Sequence, residues 1–203
     1  TTMVLQAQNY DASGYKIGIT GPGYRASTYS QVILGDSFKN ASKINGAMEN
    51  ARAEAMKTIY EKAFYYENEM PVAYGNVIRN YYSAVTSNDW RVVSILVQNR
   101  RTFCGADRAG EKMPTICNGF TFDTETGEEL TLGQVLGIPE EEARQKAYAA
   151  ARTFFDTVGY RNGKTVSIPS NSEESPNFYL QYGEVVLILQ SQLIPTGLMC
   201  TLK

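Results

Sequence analysis

The 203 residues carry 43% hydrophobic and 20% charged side chains and a formal net charge of -2, an ordinary globular balance that excludes a disordered or fibrous chain. Lys and Arg are scattered, so nothing marks a surface for nucleic acid or for an anionic membrane. Histidine is absent, which removes the usual general base of Ser and Cys nucleophile sites and the commonest zinc ligand, and leaves carboxylates, Lys and Tyr for any chemistry.

In chain order, "YKIGIT" from Tyr15 to Thr20 alternates apolar with small or polar residues and predicts a half-buried strand, broken by "GPG" at Gly21 to Gly23. "TYSQVILGDS" adds a short extended piece. From about Asn40, Ile44, Met48, Ala51, Ala55, Ile59, Ala63 and Tyr66 recur at spacings of three and four. That period predicts a long amphipathic helix capped by Ser42. β-Branched and aromatic residues then dominate as far as Phe103, reading as two strands joined by a turn at "TSND", with Val93, Ile95 and Val97 on one face. After the loop "GADRAGEKMP", the stretch "TICNGFTFD" predicts a strand with Ile116, Asn118, Phe120 and Phe122 on one side.

Pro139 followed by Glu140, Glu141 and Glu142 marks a helix start, the carboxylates complementing the positive end of the helix dipole rather than forming an acid/base pair. Ala143, Ala147, Ala150, Phe154 and Val158 supply its apolar stripe, and Gly159 its stop. A polar stretch, "RNGKTVSIPSNSEESPN", leads to a last β unit. There Phe178, Leu180 and Tyr182 alternate, Gly183-Glu184 turns, and "VVLILQ" is apolar on both faces as in a central strand. An irregular crossing and a short final strand close the chain. The expected class is α+β, an antiparallel sheet packed against two main helices. The whole of 1–203 reads as one domain, divisible into a strand-helix-strand lobe over about 1–85 and a hairpin-helix-hairpin lobe over 86–203.

The acidic run "FDTETGEELTLGQVLG" invites a calcium-loop assignment through Asp123, Glu125, Gly127 and Glu129. Its glycine comes one place early for an EF-hand and a strand precedes it, so the spacing predicts a turn with Gly127 at positive φ, then a short helix capped by Thr131. No metal or cofactor is expected. Cys104 and Cys117 flank the loop between two antiparallel strands, which places a disulfide between them within reach. Three reduced thiols, or pairing of either with Cys200, are the alternatives. The same loop, 106–113, offers Asp107, Arg108, Glu111 and Lys112 as a charged surface on a rigid base, a candidate protein-binding site set against a solvated loop with no partner.

Three motifs carry a resemblance. "YKIGITGP" followed by "NASKINGAME", "SNDWRVVSILVQN" with "CGAD" and "FTFDTETGEELTLGQVLG", and "FYLQYGEVVLILQSQLIP" together resemble the family of extracytoplasmic bacterial domains represented by the C-terminal domain of the anti-sigma-V factor, RsiV, and by the N-terminal region of certain peptidoglycan deacetylases. The likeness spans roughly Tyr15 to Pro195. It departs at Cys104-Gly105-Ala106-Asp107, where the family has Gly-Gly-Ala-His, and at Gln190 to Thr196, where it has a Tyr-containing run. The resemblance implies an extracytoplasmic, noncatalytic binding or sensor domain at the cell envelope, whose ligand is an envelope or host protein such as lysozyme, or peptidoglycan. An accessory domain of a cell-wall enzyme is the first alternative. A carboxylate-dependent glycan hydrolase is the second, and it requires two carboxyls about 5 to 9 Å apart. No apolar run approaches the roughly 20 residues that span a bilayer, and "TTMVLQAQNY" lacks the basic start and apolar core of a signal peptide. Any targeting segment or anchor is therefore expected outside this sequence.

Overall fold

A computed structural model describes residues 5–10, 16–20, 23–69, 76–104, 116–158, 176–191 and 194–202, with side chains over 30–55, 80–100, 117–154, 176–189 and 199–202. The described elements are β1 (Leu5–Tyr10), β2 (Lys16–Thr20), β3 (Gly23–Leu34), α1 (Ala41–Glu69), β4 (Asn76–Asn88), β5 (Val92–Cys104), β6 (Ile116–Asp123), α2 (Leu132–Leu136), α3 (Glu140–Val158), β7 (Phe178–Gln181), β8 (Glu184–Ser191) and β9 (Ile194–Leu202). The α+β class and the two main helices, α1 and α3, are as the sequence predicts. Among the described residues no helix is long and apolar enough to cross a membrane.

The chain forms two compact units that interleave along the sequence. One holds Thr1–Tyr82, Asn99–Met113 and Glu125–Gly127; the other holds Ser83–Gln98, Pro114–Thr124 and Glu128–Lys203.

In the first unit the long strand β3 carries β1 and β2 antiparallel, β1 along Tyr29 to Leu34 and β2 along Gly23 to Ser27. β4 pairs with β3 in parallel, Arg25 opposite Val77 through Ser30 opposite Tyr82. That pair departs from the all-antiparallel expectation, and its reason is α1, which supplies the crossover that a parallel connection requires. Ala41, Ile44 and Met48 put one face of α1 in the core, as the spacing predicts, and Val32, Leu34, Phe38 and Tyr81 are buried in the same unit. Full burial of Ile44 or Met48 contributes about 1.5–3 kcal/mol each. Asn45 fixes the helix to the end of β3 through both amide atoms, Oδ1 accepting from Leu34 N at 2.8 Å and Nδ2 donating to Leu34 O at 3.0 Å. Ser42 lies inside the first turn of α1 rather than capping it. The residue before the helix is Asn40, left-handed at φ 59°, whose carbonyl accepts from Ile44 N.

The second unit is layered around the sheet β7-β8-β9, all antiparallel. One face of this sheet, Phe178, Val185, Leu187 and Cys200, is covered by Leu132 of α2 and by Ala143 and Ala147 of α3. Small alanines on α3 let the helix approach the strands closely. The other face, Tyr179, Val186 and Ile188, packs on Cys117 of β6 and Leu96 of β5. Burial on both sides explains the unbroken apolar run of β8, the central strand. β9 is longer than the short closing strand the sequence suggests, because pairing with β8 runs from Val185↔Leu202 to Ser191↔Ile194 with one irregularity.

Two turns fall at positions the sequence misplaced. The β4–β5 turn is at 89–91, not "TSND": β4 runs on through Asn88, and Asp89 Oδ1 accepts from the amides of Arg91 and Val92 at 3.1 and 2.8 Å. The β7–β8 turn is Tyr182-Gly183, both left-handed at φ 51° and 76°, closing a two-residue hairpin between Gln181 and Glu184. Tyr182 therefore stands exposed at the tip instead of joining the Phe178, Leu180 row.

Candidate functional site

The acidic stretch after β6 resolves into two structural duties. Glu125 to Gly127 receive the start of α1, all within the first unit: Lys39 Nζ pairs with Glu125 Oε2 at 2.6 Å, Asn40 Nδ2 donates to Glu125 O at 2.7 Å, and Lys43 Nζ donates to Thr126 O at 3.1 Å. Gly127, at φ 72°, lies so close to α1 that an added Cβ would come within 2.8 Å of Lys43 Cδ. The turn expected from the spacing is present, and its carbonyls are engaged by cationic and amide side chains of α1. Among the described residues no group of three or more Cys, Asp or Glu is placed to hold a metal ion.

In the second unit, β6 ends in a short pseudo-strand. Asp123 N donates to Glu128 O at 2.9 Å and Leu130 N to Thr121 O at 2.7 Å, bracketing the bridge between Phe122 and Glu129. Thr124 secures this end to the β4–β5 turn, its amide on Arg91 O at 2.8 Å and its hydroxyl on Trp90 O. The chain then enters α2 through a capping box: Gln134 N donates to Thr131 Oγ1 at 3.3 Å and Thr131 N to Gln134 Oε1 at 2.9 Å. Gly137 closes α2 in the left-handed conformation. Glu140, at the head of α3, accepts from Gly133 N at 3.1 Å through Oε2, so it serves the α2–α3 corner as well as the helix dipole.

Against the same edge of β6 lies Asn177. Its Oδ1 accepts from Gly119 N at 2.9 Å and its Nδ2 donates to Cys117 O at 3.0 Å, so one side chain imitates a neighbouring strand. Glycine at 119 is required here: an added Cβ would sit 1.7 Å from Phe178 O. Deeper in, Ser94 and Thr121 share a hydroxyl hydrogen bond of 3.0 Å, and Leu180 N donates to Ser94 Oγ at 2.9 Å. Ser94 and Thr121 are fully buried, and this chain of hydroxyls satisfies polar groups that would otherwise be costly there.

These pieces enclose an open groove of about 400 Å³ lined by Gly119, Thr121, Glu129, Leu130, Thr131, Pro176, Asn177 and Phe178. Glu129 is the one carboxylate among its described lining residues. Desolvation raises that carboxyl above its ordinary value, even though part of the side chain faces solvent.

Two solved structures superpose on all or nearly all of the chain. One is a DUF3298 family protein from Pseudomonas aeruginosa PAO1, 15% identical, with a TM-score of 0.64 over 100% of this chain and 91% of its own. The fold is that of DUF3298 structures. The second, a DUF3298 family member from Bacteroides fragilis NCTC 9343, is 9% identical, with a TM-score of 0.53 over 98% of this chain and 90% of its own. No protein-family model and no curated protein matches the sequence.

Relative to the residues singled out in the sequence, Asp107, Arg108, Glu111 and Lys112 lie outside the described residues. Cys104 ends β5, and its side chain also lies outside them. Cys117 is buried and packed against Tyr179, Val186 and Ile188, and the bridge expected between it and Cys104 rests on a side chain outside the described residues. Cys117 and Thr121 turn under the β7–β8 layer, which the expected row of Ile116, Asn118, Phe120 and Phe122 left out of account. Cys200 is likewise a buried thiol, and burial pushes both thiols up. Gly119, Thr121 and Asn177 carry no sequence signal of a site, and Glu129 enters the sequence reading only in the calcium-loop assignment that the spacing rejects in favour of a turn.

Proposed function

We propose that this chain is a noncatalytic binding or sensor domain working outside the cytoplasm at the bacterial cell envelope, with a protein or a cell-wall glycan as its ligand. The observation that carries this reading is the groove of the second unit. It is walled by strands and a capped helix, offers amide, hydroxyl and backbone groups, and has one carboxylate among its described lining residues. Two-carboxylate glycan hydrolysis needs a second acid facing Glu129 across that space, whereas recognition needs only polar groups held in fixed positions. The motif resemblance to the anti-sigma-V factor domain family supports the envelope location, and the DUF3298 fold is compatible with it.

The test is binding of the purified chain to immobilised lysozyme and, separately, co-sedimentation with purified peptidoglycan sacculi. Saturable binding to one of them, reduced by replacing 106–113 or by Glu129→Gln, supports the reading and assigns the surface. Turnover of peptidoglycan by the chain alone, or absence of binding to both, overturns it.

A further inference from the structure

The edge of β6 shows what the groove is shaped to take. In an extended strand the N–H and C=O of one residue point to the same side, and successive residues alternate. Thr121 and Asp123 face the Glu128–Leu130 segment, since Thr121 O accepts from Leu130 N and Asp123 N donates to Glu128 O. Cys117 and Gly119 share that edge and meet Asn177 instead. Between the two partners lies a one-residue gap: by the same alternation Gly119 C=O and Thr121 N–H fall on this edge, and both residues line the groove. A single residue of an extended chain spans this gap, its N–H on Gly119 O and its C=O on Thr121 N. A sugar hydroxyl also donates and accepts, but an extended residue presents its N–H and C=O together on one side at the strand spacing.

Charge selects within that class. Glu129 belongs to the pseudo-strand beside the gap and makes no ion pair among the described residues. A cation brought to it relieves the cost of its partial desolvation. We propose that the groove binds a short extended peptide segment of a partner protein by strand pairing at Gly119 and Thr121, with a Lys or Arg side chain placed on Glu129. This rests on the binding-domain reading above and names the ligand chemistry of that site.

The experiment is an amide-resolved NMR titration of the chain with three probes: acetyl-Ala-Lys-Ala-amide, its Glu counterpart, and N-acetylglucosamine tetramer. The Lys peptide is expected to shift the Gly119 and Thr121 amides and the Asn177 side-chain amide in a saturable way, with weaker shifts from the Glu peptide. Glu129→Gln should weaken the Lys peptide by about two- to five-fold, the range of a solvent-accessible ion pair. Equal shifts from the Glu peptide, shifts by the sugar in place of the peptides, or no shifts in the groove each overturn the proposal. If lysozyme or sacculi still bind when the groove is silent, the peptide assignment falls and the binding-domain reading stands.

Discussion

Replacing Asn177 tests whether one side chain holds β6 against the β7 layer. Asn177→Ala removes the two short hydrogen bonds to Gly119 N at 2.9 Å and Cys117 O at 3.0 Å and a longer one to Asn118 Oδ1 at 3.4 Å, while leaving the backbone bond from Ile188 N to Asn177 O in place. Each amide bond contributes about 1 kcal/mol net, and Gly119 is partly exposed, so water offsets some of the loss. The expected cost is therefore about 2 kcal/mol. Asn177→Asp sharpens the test. A carboxylate still accepts from Gly119 N but turns a second acceptor toward Cys117 O, so its folded pKa is raised above the ordinary aspartate value of about 3.9. The folded variant then binds a proton more readily than the unfolded chain, so its deficit is largest at neutral pH and shrinks as pH falls through the folded pKa. Urea unfolding followed by tryptophan fluorescence reads this unit directly, since Trp90 is the single tryptophan and belongs to it. An Ala variant within about 0.5 kcal/mol of the parent, or an Asp variant whose deficit ignores pH, refutes the reasoning.

Gly119→Ala should cost more than Asn177→Ala, above about 3 kcal/mol, because its Cβ would meet backbone rather than a yielding side chain; a Tm within about 2 °C of the parent contradicts this. Burial of Tyr81 pushes its phenol up to about 12, with the nearby Arg52 lowering it and Glu49 raising it by smaller amounts. The unfolded chain therefore ionises this tyrosine first. Stability present below pH 10 should fall as pH rises toward 12, by up to about 1.4 kcal/mol per unit, and Tyr81→Phe should abolish that share of the slope. Parallel alkaline stability curves for parent and variant would count against it. Cys117 and Cys200, buried and with raised pKa, should react slowly with Ellman's reagent in the native protein and promptly in denaturant. Peptide mapping that finds either one labelled at once in the native state contradicts their placement.

Elements with a strong period were legible in the sequence. The 3.6-residue recurrence of Ile44 and Met48 located α1, the Pro139 and Glu140 to Glu142 signature located the start of α3, and the two-sided apolarity of "VVLILQ" marked a central strand. Local chemistry was legible too: Gly127 at positive φ and Thr131 as a helix cap follow from short-range sterics and hydrogen bonding. Turn positions were less so, because Asn88, Asp89, Tyr182 and Gly183 admit several registers and strand pairing selects one.

The groove belongs to the tertiary structure alone. Asn177 sits in a polar stretch that reads as a linker, and only the approach of β7 to β6 gives it Gly119 and Cys117 as partners, 58 and 60 residues away. Glu129 looks in sequence like one acid among several. Its neighbours went elsewhere, Glu125 to Lys39 and Glu128 into pairing with Asp123, and the fold left Glu129 on the wall of a cavity. Periodicity records which face of an element is buried, so the sequence determined the elements. It does not record what lies across from that face, so only the packed chain decided where a ligand has room to bind.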